Sequence, residues 1–251
     1  MSSTLPPSQI PPRSQTVPPY PTAGGYPKGY PQVPGYPPQT LAYASPSTAA
    51  PKPLGTMAAV AKAAVGIATL MAAVSFVTLV GQLRILQKVQ AGGSVSPADA
   101  QHSDTLVAMA TLAHLAALVA GAAALFTWLY RAYANLRAMG LRTESSPGAT
   151  IGWWFVPFAN LWKPYQLVRE TAEKSGAGGG GLVGWWWACW IASGVISYLG
   201  NFGSRMPDPD LQTLIASTWA DMAADVCTLA AGALLIAIIS KVTAAQSSGH
   251  R

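Results

Sequence analysis

Four runs of apolar residues, each long enough to cross a bilayer, set what this chain can become. They fall at residues 57–83, 106–130, 182–202 and 211–240. A helix needs about 20 consecutive apolar residues to cross the hydrocarbon. Only helices and closed barrels satisfy their own backbone there. The composition agrees, with 51% hydrophobic and 10% charged residues, against about 25% charged in soluble domains. The expected fold is therefore all-α, a polytopic membrane helix bundle of four spans with the lipid bilayer as its first partner. Anchors flank the runs: Arg84 and Lys88 close the first, Trp128, Tyr130 and Arg131 the second, and Lys241 the fourth. Trp185, Trp186, Trp187 and Trp190 crowd the start of the third, where an interfacial belt belongs. Lys62, one turn inside the first run, can snorkel back to the interface. The N-terminus has no apolar core of a secretory signal peptide.

Residues 1–55 precede the membrane domain and hold most of the 21 prolines, with Tyr20, Tyr26, Tyr30 and Tyr36 spaced among Gly, Gln, Ser and Thr. Such a composition buries too little apolar surface to offset ordering entropy, so a disordered tail with polyproline II character is expected. It offers weak, repeated contacts for protein partners, or serves as an inert tether. Residues 56–244 form the four-span domain, and residues 245–251 a short polar end.

One passage within the domain is neither a span nor an ordinary loop. Residues 151–162 are apolar and aromatic but too few to cross, and Pro157 and Pro164 interrupt them. From Trp154 onward, Phe158, Leu161, Tyr165, Val168 and Ala172 recur at helical spacing, with Lys163, Gln166, Glu170, Glu173 and Lys174 opposite. That pattern predicts an interfacial or re-entrant segment over 151–175, bending near 160–164 and continuing as an amphipathic helix with its apolar side on the membrane. The alternative is a fifth, kinked span over 148–168. Residues 176–181, GAGGGG, make a flexible joint to the third span.

The same passage carries a resemblance. WWFVPFANLWKPYQLVRE, together with WLYRAYANLRAMG at residues 128–140, resembles the signature of a family of bacterial membrane proteins known as domain of unknown function 4328. The likeness runs from about Met57 to the end of the last span. It implies a multi-helix integral membrane domain, often behind a proline-rich tail, and no activity. The residues carried over by motif are Asn135, Gly140, Pro157, Asn160, Pro164, Tyr165 and Gln166.

The positive-inside rule orients the bundle. With the tail, the 131–181 region and the C-terminus on one side, only Arg84, Lys88 and Arg205 of the 15 Lys and Arg lie on the other. This expectation puts both termini in the cytoplasm of a multi-pass cell-membrane protein, and disfavours five spans. The formal net charge of +6 flanks spans instead of forming a patch, so no nucleic-acid partner is expected. Cys189 and Cys227 fall in different spans at different depths and read as free packing thiols.

Candidate chemistry lies inside the spans, where ionisable groups are costly and functional by default. His114 and Asp225 each sit roughly 25 Å from their basic anchors at about 1.5 Å per residue. Asp221 is one turn beyond Asp225, with Thr218 and Thr228 on the same stripe, and Asn201 closes the third span below Ser193 and Ser197. These residues predict an outward-facing polar pocket of His114, Asn201, Asp221 and Asp225, with a His114–Asp225 pair lining it. Asp99, His102 and Asp104 fall in a presumed loop over 85–104, but their spacing alone does not make a metal site. No metal or cofactor is expected. The chain has no G-x-S-x-G, H-E-x-x-H or P-loop pattern, which argues against an enzyme. Two roles remain: an interaction or scaffold protein working through its tail, or a small transporter, channel or sensor working through the pocket. No oligomeric state follows from these patterns.

Overall fold

The structure, a computed structural model, describes residues 50–248. Six α-helices follow in order: α1 (Gly55–Gln90), α2 (Pro97–Ala138), α3 (Ala149–Gly152), α4 (Lys163–Lys174), α5 (Gly180–Gly200) and α6 (Leu211–Ser248). Four of them, α1, α2, α5 and α6, are long and apolar enough to cross a membrane. The protein is an all-α, multi-pass integral membrane bundle.

Several boundaries differ from the sequence expectation; α6, for one, runs to Ser248 through residues expected as part of the polar end. The loop expected over 85–104 shrinks to residues 91–96, because α1 continues past its basic anchor and α2 begins at Pro97. Proline there starts a helix instead of breaking one, since the first turn has no use for its missing N–H. Ser96 caps that turn, its Oγ accepting from the Asp99 N–H at 3.1 Å. Asp99, His102 and Asp104 therefore ride on a helix. At its other end α2 runs beyond Arg131 to Ala138 and stops at Gly140, whose φ of 78° suits glycine. The Gly140 N–H donates to the Arg137 carbonyl and the Leu141 N–H to the Leu136 carbonyl, the paired bonds of a Schellman stop.

The spans pack as an open arc. α2 lies on α1, α1 on α6, and α6 on α5, while α2 and α5 make no comparable contact among the described residues. Small residues let the backbones approach, as expected where lipid removes any hydrophobic push between helices. A side chain at Gly232 of α6 would run into Thr69 of α1, and one at Gly200 of α5 into Ala220 of α6. The main core gathers Ala61 and Val65 of α1, Trp128 and Leu129 of α2, Trp186 of α5 and Ile239 of α6.

Residues 148–168 do not form a fifth span; the passage breaks into short turns, bends near 160–164 and continues as a helix, as its interrupted pattern predicts. α3 gives way to one 3₁₀ turn at Trp153–Phe155 and a second at Ala159–Leu161, and α4 starts only at Lys163. Between the turns Phe158 has φ 63° and is 78% exposed, and Phe155 and Leu161 are exposed beside it. The aromatic segment is thus the part that presents apolar surface outward. α4 corrects the expected apolar-side-down placement: Leu167, Val168, Thr171 and Ala172 are buried against α2, α5 and α6, and Glu170 is only 7% exposed. The helix closes the basic end of the bundle and does not float on lipid. Its amphipathic pattern was real, but tertiary partners cover its apolar stripe.

Candidate functional site

The half of the bundle away from the basic anchors is hollow. A cavity of about 650 Å³ lies in the arc, walled by α1, α2, α5 and α6. His114 reaches it from α2, Asp221 and Asp225 from α6, and Asn201 from the end of α5, with Ser75 of α1 and Thr228 of α6 beside them. All four residues expected in a polar pocket line this one space.

Their environments differ. Asp221 is held by α5: its Oδ1 accepts from the Ser197 hydroxyl at 2.9 Å and from Asn201 Nδ2 at 2.7 Å. The four-residue stripe of Ser193, Ser197 and Asn201 therefore faces α6, and Ser193 also lines the cavity. Thr218 and Thr228 turn their hydroxyls back to the carbonyls of Leu214 and Ala224. Asp225 is 7% exposed, and its Oδ2 has no hydrogen-bond partner. His114 Nε2 has none either. The expected His114–Asp225 pair is not formed: the two ion pairs among the described residues are Arg169–Glu173 and Lys174–Glu170. The reason is the arc itself. α2 and α6 bond directly at the basic end, through Asn135, Ala132 and Gln246, but in the other half they are joined through α1, and the cavity stands where a His114–Asp225 contact would be.

Two smaller features adjoin this space. Toward the bundle end a further cavity of about 600 Å³ shares Asn201 and Asp221 with it and adds Gln82 and Asp104. In the other direction an apolar cavity of about 140 Å³ shares Leu118, Trp190 and Thr228, and is walled by Phe126, Trp154 and Trp186. Among the described residues no three His, Cys, Asp or Glu side chains gather as a metal site. Asp99 and His102 line none of these spaces. Cys189 and Cys227 are free thiols.

The basic end is built on opposite terms. Asn135 is buried, donating to the Lys52 carbonyl at 2.8 Å and to Gln246 Oε1 at 3.0 Å, and accepting from the Lys52 N–H at 2.9 Å. Gln246 Nε2 continues to the Ala132 carbonyl and to Ser175 Oγ. Glu170 accepts from the Tyr133 hydroxyl at 2.6 Å, from Lys174 Nζ at 2.7 Å and from the Glu144 N–H at 2.9 Å. Burial pushes this carboxyl upward, but the bonds from Lys174, Tyr133 and Glu144 outweigh it and hold Glu170 below the ordinary range. Sequence reasoning placed Glu170 on a wet face and passed over Tyr133 and Gln246. One available signal was that Tyr133 and Asn135 lie beyond the anchor Arg131 on a run that keeps helical spacing.

The motif residues belong to this end. Gly140 stops α2, and Pro164 is buried in the first turn of α4. The Tyr165 hydroxyl accepts from Arg169. Pro157, Asn160 and Gln166 are exposed, the first two in the turns that carry the aromatic segment. None of the seven lines the polar cavity.

Four apolar spans, a capping helix and a polar cavity within the spans define a small multi-pass membrane protein. Residues 91–244 match the family model described as domain of unknown function 4328, and the chain belongs to that family. The match starts after α1, later than the expected Met57, and takes in every motif residue and three of the four spans. No curated protein and no solved structure matches the chain.

Proposed function

We propose that this protein binds a small cationic solute in its intramembrane polar cavity, as a sensor or transporter. The observation that carries the reading is Asp225, a buried carboxyl among the residues lining a cavity of about 650 Å³, with an Oδ2 that has no hydrogen-bond partner in the protein. Intramembrane acids mark ion and substrate pathways because leaving one unmatched is expensive. A bound cation meets that demand, with the fixed Asp221 carboxylate one turn away adding to the field. The scaffold role rests on residues 1–55, of which 1–49 lie outside the described residues, and no geometry favours it. The charge asymmetry of the ends supports cytoplasmic termini in a cell membrane.

The test is saturable binding of radiolabelled methylammonium to the purified full-length protein in lipid nanodiscs. Binding that falls at least about tenfold in Asp225→Asn, the worth of one charge-assisted contact, supports the reading. Equal binding by the variant, or no saturable binding, overturns it. Uptake in proteoliposomes then separates a transporter from a sensor.

A further inference from the structure

The polar cavity does not end at its acids. Below Thr228 it adjoins the apolar space walled by Phe126, Trp154 and Trp186, with Leu118, Trp190 and Thr228 common to both. The two spaces thus share a wall, with carboxyl groups lining one and aromatic rings the other. The floor of the apolar part is supplied by the irregular segment. Trp154 stands 5.3 Å from Phe126 of α2 and 5.9 Å from Trp187 of α5, centroid to centroid. The first 3₁₀ turn therefore brings an indole between two helices that make no extensive contact of their own. At about 140 Å³, the space matches engineered apolar cavities of about 150 Å³ that take up a benzene-sized guest.

We infer that the ligand is an amphipathic organic ammonium. Its cationic head sits against Asp225, with His114 and Asn201 around it, and a short alkyl or aryl group fills the aromatic cavity. The inference rests on the proposed cation-binding reading and adds the class of ligand. A bare metal ion would leave the apolar space without a role, and an anionic amphiphile would set its charge against Asp221 and Asp225. The aromatic walls suit the apolar group of such a ligand, since burying it there removes its surface from water.

The experiment displaces labelled methylammonium from the full-length protein in nanodiscs with unlabelled methylammonium, hexylammonium and hexanoate. Each buried methylene is worth roughly fourfold in affinity, so hexylammonium is expected to bind at least about tenfold tighter than methylammonium, with hexanoate inactive. Ala122→Phe, which fills the apolar cavity from α2, should erase most of that advantage while leaving methylammonium binding unchanged. Ala122→Leu gives a milder version should the larger side chain prevent folding. Methylammonium binding with no gain from the alkyl chain, or a gain that survives both variants, overturns this inference and leaves the cation-binding reading standing. Absence of any binding sensitive to Asp225→Asn overturns both. Displacement by hexanoate also overturns the inference.

Discussion

The two ends of this bundle bury their carboxyl groups on opposite terms. At the basic end Asn135, Glu170 and Tyr133 are buried and matched donor to acceptor, tying α2, α4, α6 and the Lys52 backbone together. In the hollow half Asp225 and His114 hold polar atoms that meet nothing in the protein. Matched groups contribute to folding, and losing one partner strands the others. Unmatched groups are a cost to folding that a bound partner can offset. Burial alone does not separate structural from ligand-facing residues: Glu170 and Asp225 are each 7% exposed. What separates them is whether the second carboxylate oxygen has a partner.

Substitutions at the two acids should therefore diverge. Glu170→Ala strands the Tyr133 hydroxyl, Lys174 and the Glu144 N–H, and is expected to cost about 3 kcal/mol, the scale for breaking a buried pair. Thermal unfolding in detergent checks it, and a loss below about 0.5 kcal/mol, the scale of an ordinary surface change, would break the comparison. Asn135→Leu removes the clamp on the Lys52 backbone and the bond to Gln246, at about 2 kcal/mol. Amide exchange at Lys52 should quicken in that variant while exchange along α5 does not.

Acid offers a smaller, reversible version of the first test. Glu170 is held below its ordinary value of 4.5, so its stabilising contribution is present at neutral pH. That contribution is lost as pH falls below 4.5 and through the folded-state value. The melting temperature of the parent should drop across that window more steeply than that of Glu170→Gln, which carries no titrating group there. The smallest effect is expected at the hollow end. Asp225→Leu should change stability by less than about 1 kcal/mol, or raise it, because an apolar replacement removes a buried carboxyl whose Oδ2 is unmatched. A large destabilisation would show that Asp225 is structural after all.

Much of the fold was legible from residue type alone. Runs of apolar residues and the stripe of Ser193, Ser197 and Asn201 each report a local periodicity; the runs appear as four long helices and Ser197 and Asn201 meet α6, but Trp128, Trp186 and Trp187, expected at the interface, are buried in the core. The residues around the polar cavity were legible too, since counting along a helix gives depth. Their relative placement was not. A count puts His114 and Asp225 at one level, but whether they touch depends on which helices neighbour one another. α4 failed for the same reason: its pattern declared an apolar stripe, and nothing in twelve residues says whether lipid or protein will cover it.

The primary structure by itself determined the solvent of each segment: hydrocarbon for four helices, water for the charged ends, and an interrupted aromatic passage between. These are properties of short windows, set by transfer free energy and backbone chemistry. Only the tertiary structure decided that the helices form an arc and not a closed ring, that α4 seals the basic end, and that Asp225 lines the same cavity as His114 and Asn201. Those outcomes depend on close approaches such as Gly232 to Thr69, where residues far apart in the chain must fit one another, and no local window contains both partners.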